Sequence, residues 1–216
     1  MYLKRQEVPK NWPITRKGTT YVVSPSFDFK SGVPLLILLR DFLKVVNTRS
    51  EAKKAINSKS IIVNWKNAKN DRESVRIFDT IGLIPSKKYY QLSLTKTGKF
   101  TLNEIKEDES KTKVCKIIGK KTLNSKKTQL NLSDGRNVIS GIKCRTQDSV
   151  LVNLKDRKIS KCLPLAERAK IIVFAGKHSG KTGIINKIDL DKKIVEMKSD
   201  DGLFNVLIKQ FMVIEN

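Results

Sequence analysis

One histidine, His178, and three cysteines, Cys115, Cys144 and Cys162, are all that the chain offers in imidazole and thiol chemistry. With a single imidazole, no Ser/His/Asp or Cys/His set converges to activate a nucleophile. The cysteines lie too far apart for a close-spaced metal knuckle. Their odd number speaks against a disulfide framework and for a reducing interior. Apolar runs are short as well. The longest, Val33 to Leu39, falls well below the ~20 residues that span a bilayer, and the opening MYLKRQEVPK has no apolar core for a signal peptide. Acidic residues are the scarcest charge: 21 Asp plus Glu stand against 44 Lys plus Arg. Their only cluster, Glu107-Asp108-Glu109, has adjacent rather than convergent carboxylates and reads as a solvated loop, not a metal site.

What remains is positive charge. A formal net charge of +23 over 216 residues, with a pI near 10, is self-repelling unless a polyanion neutralises it. Nucleic acid does so through phosphate contacts and counterion release. A membrane surface would require a long helix with a broad Trp/Phe/Leu face beside its basic face, and no stretch supplies one. Lysines outnumber arginines 34 to 10. Lysine is a point charge rather than a planar fork, which suits backbone and shape recognition better than base reading.

The organising stretch is Leu35 to Lys66. Leu35, Leu38, Leu39, Phe42, Leu43 and Val46 recur at helical spacing, which predicts a helix with one buried face. Thr48-Arg49-Ser50-Glu51 reads as a capping box opening a second, short helix with Ala52, Ala55 and Ile56 as its apolar stripe. Ile61 to Asn64 then turns to strand. Arg40, Lys44, Arg49, Lys53, Lys54, Lys59 and Lys66 crowd the outer side against Asp41 and Glu51. This wedge resembles the helix-helix-hairpin RNA-binding domain of several ribosomal proteins and RNA-modifying enzymes. The residues in register are Thr48-Arg49, Ala52, Ile56, Val63-Asn64 and Lys66, and the departures are Ser60 and Trp65 where that domain usually has Gly.

Residues 1–32 form a basic, proline-broken extension with only a short strand expected near Thr20 to Ser24. Tyr2 and Trp12, among Lys4, Arg5, Lys10, Arg16 and Lys17, suit either stacking on RNA or packing on the neighbouring domain. The wedge occupies 33–88, with closing strands at Ser74 to Phe78 and Asp79 to Ile81. Tyr89 to Leu92 is expected to open a central β domain, 89–164, made of short alternating runs at Val114 to Ile118, Gln129 to Leu132, Val138 to Ile142, Val150 to Leu154 and Ile159 to Leu163. Asp134-Gly135 predicts a type I′ hairpin, with positive φ at both central residues. Pro164 marks a boundary. Ile171 to Phe174, Gly183 to Ile188, Ile194 to Lys198 and Phe204 to Ile208, with Phe211 to Ile214 a candidate fifth, give 165–216 the strand content of an SH3-like barrel. The fold class expected is α+β, mostly β.

Ala175 to Thr182 matches a loose nucleotide-loop pattern, and Asn186-Lys187-Ile188-Asp189 matches a guanine-reading motif. A phosphate loop needs a following helix N-terminus. Thr182 instead leads into Gly183-Ile184-Ile185-Asn186, a β run, and most of a parallel sheet is missing between the two strings. The NTPase reading is therefore refused. The segment resembles instead the KOW motif, a Gly-rich strand-turn-strand whose basic turn residues, here Lys177, His178 and Lys181, commonly contact RNA.

Leu3-Lys4-Arg5 with Trp12-Pro13, Val33 to Leu39 followed by Arg40-Asp41, Lys116 to Lys121 with Thr122, Gln129 to Asn137, and Gly176 to Gly183 occur in one order along the whole chain. In that order the chain is similar to the archaeal and eukaryotic small-subunit ribosomal protein family S-four-e. The resemblance implies a cytoplasmic, non-enzymatic protein of archaeal or eukaryotic source. It would bind folded small-subunit ribosomal RNA beside neighbouring small-subunit proteins, with no cofactor, no metal, no membrane and no DNA partner. The residues expected to meet RNA are Lys4, Arg5, Arg16, Lys17, Arg40, Arg49, Lys53, Lys54, Lys66, Lys177, His178 and Lys181. The alternative is a non-ribosomal RNA-binding factor or chaperone. An RNA-modifying enzyme would need a separate catalytic module, and Asp134-Gly135-Arg136 has none around it.

Overall fold

Alternating apolar residues pair into antiparallel strands along most of the chain, and among the described residues helix is confined to short segments before Ser58, around Glu107 and at Ile208–Gln210. The computed structural model describes residues 3–27, 31–123, 127–189 and 191–215. It is mostly β, and it divides into two units, Met1–Leu94 with Lys99–Lys111, and Thr95–Gly98 with Thr112–Asn216.

In the first unit, β1 (Leu3–Lys4) pairs with β2 (Tyr21–Val22), and β3 (Gly32–Pro34) leads into α1 (Leu35–Ile37). The helix then widens over Leu38–Phe42, where the Leu43 amide reaches the Leu38 carbonyl at 2.9 Å. The expected single buried face is not what forms: Leu35 to Leu39 are all fully buried. Five consecutive apolar residues leave no polar side to face water, so the segment is enclosed all round. The loop at Asp71 contributes by accepting the Leu35 amide on Glu73 O and the Leu36 amide on Asp71 O.

Thr48 caps α2 (Arg49–Asn57) through the predicted reciprocal box, with the Glu51 amide donating to Thr48 Oγ1 at 3.2 Å. The helix ends with Lys59 at φ 56°, its amide on Ile56 O and the Ser60 amide on Ala55 O. That pair of bonds is a Schellman motif, formed here without glycine.

The strands that follow are β4 (Ile61–Val63), β5 (Lys66–Asn67), β6 (Ser74–Arg76), β7 (Thr80–Leu83), β8 (Lys88–Leu94) and β9 (Phe100–Ile105). β6 pairs with β3, and the others form one sheet in the order β5-β4-β7-β8-β9. A short helix, α3 (Glu107–Ser110), closes the unit where a loop was expected. Tyr89 to Leu92 does not open a second unit. It pairs with Thr80–Leu83 through Ile81↔Tyr90 and Thr80↔Gln91, and buried Leu92 belongs to this unit's interior. The apolar alternation of β7 needs a partner on its open edge, and the residues nearest in sequence supply it.

The second unit holds two antiparallel sheets. β10 (Thr112–Thr122), β11 (Thr128–Leu132), β12 (Asn137–Ser140), β13 (Ser149–Asn153) and β14 (Ile159–Leu163) lie in the order β12-β11-β10-β13-β14. β15 (Lys170–Val173), β16 (Thr182–Asp189), β17 (Ile194–Ser199), β18 (Gly202–Leu207) and β19 (Phe211–Glu215) lie in the order β18-β17-β16-β15-β19. Cys115, Ile117, Leu130, Val150 and Val152 fill one core. Ile171, Val173, Ile185, Met197 and Phe211 fill the other.

The hairpin at Asp134-Gly135 differs from the type I′ expectation. Only Gly135 has positive φ, at 84°, and the Gly135 amide bonds Leu132 O at 3.0 Å. This is a three-residue loop with glycine in the left-handed position. Asp134 is held out of that region because its carboxylate caps the Arg136 amide at 3.0 Å and pairs with Lys113 at 3.3 Å. Another buried cation links the two sheets. Lys116, only 3% exposed, donates from Nζ to Phe211 O at 2.8 Å and to Ile208 O, and lies 4.7 Å from the Phe211 ring centroid. Ser149 Oγ accepts the Val213 amide at 2.9 Å beside it.

Candidate nucleic-acid interface

The exposed cations of the wedge sit on elements whose geometry is fixed locally. Lys53 and Lys54 project from α2 into solvent. Hydrogen bonds from the Asn47 amide, and then from Thr48, hold the Glu51 carboxyl below its usual range, so the cap carries a charge at the helix N-terminus. Lys66 is exposed just past the turn at Asn64 and Trp65, which have φ of 51° and 59°. Two left-handed non-glycine residues need support. Asn64 Nδ2 donates to Asp79 Oδ1 at 2.7 Å and Asn64 Oδ1 accepts the Thr80 amide. Trp65 Nε1 donates to Ser110 O at 2.9 Å, and its ring stacks 5.8 Å from Tyr89. These bonds replace the glycine that the resemblance leads one to expect.

Several of the expected contacts have partners within the chain. Arg49 Nε donates to Asp71 Oδ2 at 2.5 Å, and Asp71 is 2% exposed, so Arg49 ties α2 to the loop that also caps α1. Arg40 gives Nε and Nη2 to the two oxygens of Asp41, a pairing that raises its pKa. Arg5 binds Thr19 O, Thr15 O and Thr19 Oγ1 at 2.7 to 2.9 Å and so organises the loop between β1 and β2. Lys4, Arg16 and Lys17 are exposed. Trp12 is 3% exposed, which removes it as a stacking platform, and Tyr2 lies outside the described residues.

In the second unit, Thr182 opens β16, so no helix follows the Gly-rich turn. Three of the turn amides are also spent internally: Ser179 N on Gly176 O, Gly180 N on Val173 O, and Lys181 N on His178 O. A phosphate cradle cannot be built from amides already bonded. Lys177 is exposed. His178 packs on Phe204 with centroids 4.5 Å apart. Lys181 pairs with Asp201 at 2.8 Å and lies 4.1 Å from the Phe204 ring centroid, and this pairing holds the Asp201 carboxyl below its usual range.

Sequence reasoning missed two features. One is the seat of this turn: a Cβ on Gly180, at φ 88°, would stand 1.9 Å from Thr95 O. The other is the burial of Lys113 and Lys116, whose strand alternates Lys113, Cys115 and Ile117 inward while Lys116 also turns in. A lysine inside an apolar run was the available signal. Among the described residues, no group of three or more His, Cys, Asp or Glu side chains could hold a metal ion, and no helix is long and apolar enough to cross a membrane.

Comparison with known proteins bears on the same residues. The family model described as Ribosomal family S4e matches residues 86–159. Small ribosomal subunit protein eS4 of Methanocella arvoryzae is 34% identical, over 99% of this chain and 93% of its own length. The chain belongs to ribosomal family S4e. A second S4e relative, small ribosomal subunit protein eS4 of Methanosphaera stadtmanae, is 32% identical over 99% of this chain and 91% of its own. The crystal structure of ribosomal protein S4e from Thermoplasma acidophilum superposes with a TM-score of 0.73. It covers 87% of this chain and 96% of that one at 24% identity, and it shows the S4e fold here.

Proposed function

We propose that this chain is a structural constituent of the small ribosomal subunit, where it binds and stabilises folded small-subunit rRNA in the cytoplasm beside neighbouring subunit proteins. The observation that carries this reading is full-length membership of ribosomal family S4e, joined to a net charge of +23 that demands a polyanion. It acts by positioning, not by catalysis. The helices and hairpin within residues 33–88 serve as the RNA-binding wedge and residues 165–216 as an SH3-like KOW barrel. Lys53, Lys54, Lys66 and Lys177, exposed on supported backbone, neutralise phosphates, as do Lys4, Arg16 and Lys17 of the extension. Phosphate contacts set position and carry little sequence information, so RNA shape supplies specificity. Arg5, Arg49 and Lys181 work mainly by holding those surfaces in place. The test is sedimentation of native lysate at low and high salt. Co-migration with small subunits through a high-salt wash is the expected result; stripping to the top of the gradient at moderate salt would favour a loosely held factor or chaperone.

A further inference from the structure

Within the first unit a groove of about 750 Å³ runs between the loop that joins β1 to β2 and the turn after α1. That volume is in the range of pockets that hold small organic ligands, ~300–1,000 Å³. Arg5, Arg40 and Lys44 line it, and the one carboxylate among the lining residues, Asp41, is already engaged by Arg40. The groove thus presents a surplus of positive charge.

The two guanidinium groups are held before any ligand arrives. Arg5 is pinned by three hydrogen bonds to Thr15 and Thr19, and Arg40 by two to Asp41. A guanidinium carries five N–H donors, so each keeps donors in a set direction. Lys44 is exposed and has φ 53°, a conformation that persists only where its surroundings over-determine it. Here the Leu43 amide on Leu38 O and the Val45 amide on Leu39 O close the backbone on both sides. Tyr21, 56% exposed, also lines the groove, and β2 holds it by pairing with Lys4. Two held guanidinium groups and an exposed lysine beside an exposed aromatic ring are what a phosphate and its base require together.

We propose that this groove receives one unpaired nucleotide of the bound RNA, with its phosphate at Arg40 and Lys44 and its base stacked on Tyr21. The assignment rests on the reading of the chain as an rRNA-binding protein. The test is nucleotide-resolution chemical footprinting of the full-length chain on small-subunit rRNA, comparing wild type with Tyr21→Leu and Lys44→Gln. Both side chains are exposed; circular dichroism confirms folding, and either folded variant decides the matter. One unpaired nucleotide protected by the wild type should become reactive again in the variants while the surrounding footprint stays. Affinity should fall roughly tenfold for Tyr21→Leu, the scale of one base–aromatic stack. A variant footprint identical to the wild type's overturns the proposal. A wild type that leaves no footprint anywhere overturns the rRNA reading itself, and this assignment with it. AMP is the probe for a free nucleotide: if it raises the melting temperature of the wild type but not of Tyr21→Leu, and the footprints agree, the groove serves free nucleotides and the RNA assignment fails.

Discussion

Replacing Lys116 with methionine removes an ammonium from the interior of the second unit while keeping a flexible chain of similar length. Burial pushes the Lys116 pKa down to about 8 from an ordinary 10.5. The carbonyls of Ile208 and Phe211 and the Phe211 ring hold the charge without making up for its lost hydration. Because the folded value lies below the unfolded one, the unfolded chain binds more protons between pH 8 and 10.5. Stability owed to this group therefore rises with pH across that window. Below pH 8 both states are protonated and the full cost of the buried charge is present. Integrating from pH 7 to pH 10, wild type should gain roughly 2–3 kcal/mol relative to Lys116→Met. Other lysines and tyrosines titrate alike in both proteins and cancel in the difference. Denaturant unfolding of the pair at each pH gives that quantity directly. A difference that stays flat from pH 7 to 10 would refute the account, because Lys116 would then keep an ordinary pKa despite its burial.

Three further outcomes follow from the geometry. Arg49→Glu should cost about 2 kcal/mol by setting a second carboxylate against buried Asp71, whereas Lys53→Glu should leave thermal stability unchanged; melting curves of the two single variants separate them. Gly180→Ala should destabilise by about 2–4 kcal/mol, since the added carbon meets Thr95 O and the residue must hold φ near 88°; chemical denaturation reads this. Lys53→Gln with Lys54→Gln should lower the slope of log affinity for small-subunit rRNA against log salt by about 1.5–2, and filter binding across a salt series checks it.

Much of the molecule was legible from local pattern. The capping box at Thr48 and Glu51, the strand at Ile159–Leu163 and the β run after Thr182 depend on residues close in sequence and form as read, and the strand read at Ile194 to Lys198 runs one residue further, to Ser199. The net charge likewise required only counting. Where the reading departed, a distant partner intervened. Tyr89 to Leu92 looked like the start of a new unit because its alternation says nothing about which edge it will join. The turn at Gly135 changed type because Asp134 answers to Lys113, 21 positions earlier. Arg49 and Arg5 looked like free cations because nothing nearby in sequence announces Asp71 or the Thr15–Thr19 loop as their acceptors.

The sequence by itself thus determined the polyanionic partner, the family and most strand positions, since charge, composition and period-two alternation are properties of the chain before it folds. Only the tertiary structure decided which cations are exposed and which are spent on the protein. A lysine or arginine reads the same in a string whether it faces water or, like Lys116, reaches a carbonyl 95 residues away.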